Sequence, residues 1–229
     1  MKIKGVIFDL DHTLFDRYAT LTAIAPDFYE HFKEKLAIGM TAERIARLLC
    51  EGDRAFIYYG WKRVFEYLCD KGMFAIRPEY LEYKNTLLGL FTTKAIPFPF
   101  TYEVLEDVRR RGIMTGLITN GDAKVQGKKL ELLKLEGYFD EIILCGAFGI
   151  QKPEPAPFLE MARLIDAKAG ELIYVGDNPI CDVGGAKGAG YLTVQVLTAD
   201  CEVPEAPVGD YRIKTVEELS ALLDRLLLT

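Results

Sequence analysis

From Thr101 onward the chain alternates helix-patterned and strand-patterned segments joined by short connections, and that rhythm restricts it to a largely parallel sheet with helices on its faces. The spacing predicts a helix from about Tyr102 to Arg111, a strand over Met114 to Thr119, and further strands over Glu141 to Cys145, Leu172 to Gly176 and Leu192 to Val196. Helices are expected at Lys124 to Leu135, Ala156 to Asp166 and Asp182 to Gly188. The last segment, from Asp210, closes with a strand-like Tyr211-Arg212-Ile213 and a helix from Val216 to Leu228. Near-continuous apolar strands belong to a sheet covered on both faces.

One strand stands apart. Val6, Ile7 and Phe8 read as a buried strand at the start of the chain, while residues from about Arg17 to Pro97 carry helical periodicity with breaks at Gly39, Gly60, Gly72 and Pro78. Thr41 is an expected N-cap there, followed by Ile45, Leu48 and Leu49 on one face. The expected architecture is α/β, a doubly wound, Rossmann-like parallel core from 1–16 and 98–229, interrupted by an all-helical cap over 17–97. The prolines at 97 and 99 read as the linker.

Composition sets outer limits. The 229 residues are half hydrophobic, with a net charge of −6, which argues against a nucleic-acid polymer or an anionic membrane as partner. Five scattered cysteines, Cys50, Cys69, Cys145, Cys181 and Cys201, lack the close pairs of a zinc or redox motif and suit reduced thiols. No apolar run approaches the ~20 residues of a membrane span. A cytoplasmic location is the expectation, with monomer or homodimer left open.

In doubly wound sheets ligands sit beyond the carboxyl ends of the strands. The first predicted strand runs into Asp9-Leu10-Asp11. If extended backbone persists through Leu10, both carboxylates lie on one side, and two such charges call for a cation or a shared proton. The second strand is followed by Thr119-Asn120-Gly121, a helix is preceded by Lys152-Pro153-Glu154-Pro155, and the fourth strand leads into Asp177 and Asp182. A proline after Lys152 biases that lysine toward extended backbone and leaves its ammonium able to reach an anion.

Asp9-Leu10-Asp11-His12-Thr13-Leu14, Thr119, Lys152 and Gly176-Asp177-Asn178-Pro179-Ile180-Cys181-Asp182 stand in the order of four motifs. In them the chain resembles the haloacid dehalogenase-like superfamily, in its phosphatase branch, over essentially its whole length. The resemblance implies Asp9 as a nucleophile forming an aspartyl-phosphate and Asp11 as general acid and base. It implies Thr119, Asn120, Gly121 and Lys152 as the phosphate cradle. Magnesium is the implied cofactor, because anionic nucleophile and phosphoryl oxygens repel without it. Its ligands would be Asp9, the Asp11 backbone carbonyl and Asp177, with Asp182 at or just outside the coordination shell.

The implied substrate is a small phosphorylated metabolite of the nucleotide or sugar phosphate class. Alternatives are a phosphosugar mutase on the same core, a noncatalytic binding protein and a haloacid dehalogenase. The last is disfavoured because that branch typically lacks the second aspartate. His12, His31, Arg17, Gln126 and the Trp61-Lys62-Arg63 cluster are expected to be ordinary loop, surface or packing residues.

Overall fold

A computed structural model describes residues 2–198 and 203–228, so Cys201 lies outside the described residues. Its sheet contains β1 (Gly5–Phe8), β2 (Met114–Thr119), β3 (Glu141–Leu144), β4 (Leu172–Gly176), β5 (Leu192–Val196) and β6 (Tyr211–Ile213) in the order β3-β2-β1-β4-β5-β6. Every neighbouring pair is parallel. The order runs outward in both directions from β1, making it the point where the winding reverses and where ligand crevices open in such sheets. Phe8 stands level with Leu117 on one side and Val175 on the other. The loops that follow β1, β2 and β4 therefore emerge side by side at one edge.

Among the described residues the chain divides into two compact units, one of 2–16, 97–198 and 204–228, the other of 17–96 with Val203. Pro97 groups with the α/β unit rather than with the helical segment: it bridges Phe15, and the Phe98 amide donates to the Leu14 carbonyl at 3.1 Å. The two crossings of the chain between units thus lie beside each other.

The helical unit contains α1 (Arg17–Phe32), α2 (Ala42–Phe56), α3 (Trp61–Asp70) and α4 (Tyr80–Phe91). Thr41 caps α2 as expected, its hydroxyl accepting from the Arg44 amide. Phe28, Phe65 and Tyr83 form an aromatic centre with ring separations of 4.9 Å for Phe65–Tyr83 and 6.1 Å for Phe28–Tyr83. Arg17 is buried, not a surface group: it meets Asp53 at 2.9 Å, and its guanidinium lies 4.3 Å from the Trp61 ring centre. Lys62 and Arg63 are exposed.

In the α/β unit the helices are α5 (Thr101–Arg110), α6 (Ala123–Leu133), α7 (Cys145–Phe148), α8 (Pro155–Leu164), α9 (Gly185–Gly188) and α10 (Leu219–Leu227). Ile7, Ile118, Tyr174, Phe158 and Met161 are fully buried between the sheet and α8. Each such side chain contributes about 1.5–3 kcal/mol on burial. Gly116 permits that contact, since a Cβ there would stand 2.7 Å from the Met161 sulfur.

Several boundaries shift by one to three residues from expectation, two of them next to site residues. Cys145 starts α7 instead of ending β3. The helix expected to begin at Asp182 begins at Pro179, as a π-helical turn over Pro179–Gly184 that runs on into α9. Its start is set by Asn178, whose side-chain oxygen accepts from the amides of Ile180 and Cys181, and by Pro179, whose missing N–H costs nothing at a helix start.

Candidate active site

The β1 ladder ends with the Asp9 amide donating to Val175 at 2.9 Å. Extended backbone does not persist through Leu10. Its carbonyl accepts from the amides of Thr13, Leu14 and Phe15, so the chain curls into a tight loop with His12 at φ +59°. His12 is a loop residue, as expected, but at 2% exposure it is buried within the loop rather than at the surface. The loop also aims Asp9 and Asp11 at different partners.

Asp9 faces Lys152, whose ammonium stands 2.6 Å from an Asp9 oxygen and 2.6 Å from an Asp182 oxygen. The ammonium also donates to the Ile118 carbonyl at 2.9 Å and the Tyr174 hydroxyl at 2.8 Å. The anions it reaches here are the carboxylates of Asp9 and Asp182. Asn120 fixes the backbone of this lysine: its side-chain nitrogen donates to the Lys152 carbonyl and its side-chain oxygen accepts from the Lys152 amide, both at 2.9 Å. Gly121 makes the preceding turn possible, because its φ of +112° is disfavoured for any residue with a Cβ.

Asp177 and Asp182 follow β4, and their oxygens lie with that of Asp9 within 4.8 Å of one another, all three residues buried. Asp182 is locked in place by accepting from the Asn178 amide at 3.0 Å, and it rests on the bare Cα of Gly176, where a Cβ would stand 2.5 Å from its oxygen. Burial drives the Asp9 pKa up to about 7; Lys152 opposes this, while Asp182 and Asp11 add to it. Burial works against the Lys152 ammonium, but the carboxylates of Asp182 and Asp9 outweigh it and hold its pKa well above the ordinary lysine value.

Asp11 has a separate set of donors. Lys129 reaches one of its oxygens at 2.7 Å and Gln126 the other at 2.9 Å. The same Gln126 nitrogen donates to the Thr119 hydroxyl at 2.6 Å. Thr119 does not cap α6. Asp122 does, accepting from the amides of Lys124 and Val125. Gln126 is thus a site residue rather than an ordinary surface group, and Lys129 and Tyr174 join it without any motif to mark them. Their sequence signals are faint: two long polar residues three apart on one helix face, and one tyrosine in an otherwise aliphatic strand.

The donor set fits a small hard dication. Three buried carboxylates converge, all their ligand atoms are oxygens, and the ammonium bonded into the group balances one charge of three.

The sequence matches the haloacid dehalogenase-like hydrolase family over residues 6–196, and the chain belongs to that family. Among its relatives is a glyceraldehyde 3-phosphate phosphatase of Pyrococcus furiosus, 26% identical over 98% of this chain and 94% of the relative. A phosphoglycolate phosphatase of Aquifex aeolicus is also 26% identical, over 97% of both chains. The crystal structure of a phosphatase of this family from Thermococcus onnurineus superposes with a TM-score of 0.64 at 29% identity, covering 96% of this chain and 98% of that one.

Proposed function

We propose that the protein is a magnesium-dependent phosphatase that hydrolyses a small phosphomonoester through an aspartyl-phosphate on Asp9. The observation that carries the reading is the division of the first loop into two carboxylates with separate environments, Asp9 against Lys152 and the acidic pair, Asp11 against Lys129 and Gln126. The phosphatases among its relatives are named for glyceraldehyde 3-phosphate, phosphoglycolate and N-acylneuraminate 9-phosphate, which supports a small phosphorylated metabolite as substrate.

In this reading the Asp9 carboxylate attacks phosphorus while Asp11 gives its proton to the departing alcohol oxygen. Water then attacks the phospho-enzyme, Asp11 takes a proton from it, and Asp9 and inorganic phosphate are released. Thr119, with the backbone of Asn120 and Gly121, receives the phosphoryl oxygens at the turn leading into α6. Lys152 keeps Asp9 aimed and offsets negative charge between Asp9 and Asp182. Magnesium, held by Asp9, Asp177 and the Asp11 carbonyl with Asp182 beside it, would supply charge neutralisation at the transferring group. The helical unit serves as a cap that excludes water and reads the rest of the substrate. The free thiols of Cys50, Cys69, Cys145 and Cys181 suit a reducing, cytoplasmic setting.

The test is phosphate release from glyceraldehyde 3-phosphate, phosphoglycolate, sugar phosphates and nucleoside monophosphates with Mg²⁺. Turnover of at least one, lost in Asp9→Asn, is expected. Isomerisation of a phosphosugar without net release would overturn the hydrolase reading.

A further inference from the structure

Gln126 and Lys129 lie almost one turn apart on α6 and are both 3% exposed, at positions where an apolar side chain would be the cheaper occupant. Both turn toward Asp11, one to each oxygen. The Lys129 ammonium is further confined by the Phe15 ring, whose centre lies 4.6 Å away. Gln126 donates to Asp11 and to Thr119 from one nitrogen, which ties those two side chains to each other.

We propose that Gln126 and Lys129 are positioning residues for proton transfer, holding the Asp11 carboxylate in one rotamer and in register with the phosphoryl-binding turn at Thr119. The inference rests on the reading of Asp11 as general acid and base. An aspartate side chain has several staggered orientations, and two donors from a single rigid helix, one to each oxygen, select one of them. They leave the acid competent, because each carboxyl oxygen keeps a second lone pair for the travelling proton. The arrangement also separates the two aspartates mechanically: Asp9 is anchored by the Lys152 loop, Asp11 by α6.

A residue that merely supports the fold would slow all substrates alike, whereas one that places the acid matters most when the leaving group needs a proton. The experiment compares kcat/KM for the best alkyl phosphate found in the substrate panel with that for p-nitrophenyl phosphate, whose phenolate departs without protonation. It uses Lys129→Met, Gln126→Leu, Lys129→Arg and Asp11→Asn at saturating Mg²⁺, with folding checked by thermal unfolding. Lys129→Met and Gln126→Leu should lose the alkyl substrate about tenfold more than the aryl one, as expected for a lost hydrogen bond to a charged group. Lys129→Arg should restore most of the difference. Equal losses for both substrates in Lys129→Met and Gln126→Leu, with Asp11→Asn still selective, would overturn the inference. Equal losses in Asp11→Asn would instead overturn the role of Asp11. If Lys129→Met fails to fold, Gln126→Leu alone decides between selective and equal loss.

Discussion

In the helical unit Arg17 meets Asp53 at 2.9 Å beneath Trp61 and Phe91, and in the α/β unit Lys152 meets both Asp9 and Asp182 at 2.6 Å with Asp177 alongside. Both are buried ionic groups on apolar scaffolds. The first sets a cation against a carboxylate and lays aromatic faces over the cation, an arrangement that organises packing. The second gathers three carboxylates around a bonded ammonium, an arrangement that leaves work for a cation. Burial of charge is common to both, and the convergence of three carboxylates sets the second apart.

The contrast breaks most visibly at Asp9. Asp9→Asn should lower turnover on the order of 10⁴-fold while leaving the melting temperature unchanged or raised, because it removes a nucleophile and relieves like-charge crowding. Phosphate release and thermal unfolding measured on one preparation decide it. A variant that retains activity, or one that unfolds, contradicts the assignment.

Asp53→Ala is the counterpart in the helical unit. Leaving Arg17 buried without this partner should cost about 3–5 kcal/mol in denaturant unfolding. Asp182→Asn, which keeps a hydrogen-bonding group in a cluster already rich in carboxylates, should cost clearly less. Equal losses would erase the distinction between the two clusters.

A smaller effect concerns pH. The Asp9 pKa is raised to about 7 from an ordinary 3.8, chiefly by burial. Between those values the native state keeps a proton that the unfolded chain has released, so metal-free stability should fall as pH rises through that window. A bound dication favours the carboxylate and competes with the proton. Mg²⁺ should therefore raise the melting temperature more at about pH 8 than at about pH 5, and at a hundred times its dissociation constant its whole stabilisation is equivalent to ~2.7 kcal/mol. A shift that is larger at low pH would be inconsistent with Asp9 as a ligand. The mildest change is Tyr174→Phe, which removes the hydroxyl shared by Lys152 and the Ile118 carbonyl and should cost about 1 kcal/mol of stability.

Some of this is written in the chain at short range. Val6 to Phe8 ending in Asp9, and Leu172 to Gly176 ending in Asp177, announce strands that deliver acids to one edge, because apolar runs and the carboxylates after them are local features. The cap at Thr41 is legible for the same reason, as a side chain acting on an amide three residues away. The helix start at Pro179 is local in the same way, an Asn178 cap on Ile180 and Cys181 followed by proline, whereas the π-helical form it takes is not written in so short a stretch.

The sequence by itself determined the parallel α/β core, the helical insert and the four loops bearing Asp9, Thr119, Lys152 and Asp177. Only the tertiary structure decided which partner each carboxylate meets. Asp9 and Asp11 are two residues apart, yet Lys152 lies 143 residues from the first and Lys129 118 residues from the second. Periodicity reports which face a residue takes on its own element. It carries nothing about which distant element packs against that face, and here that packing separates the two aspartates.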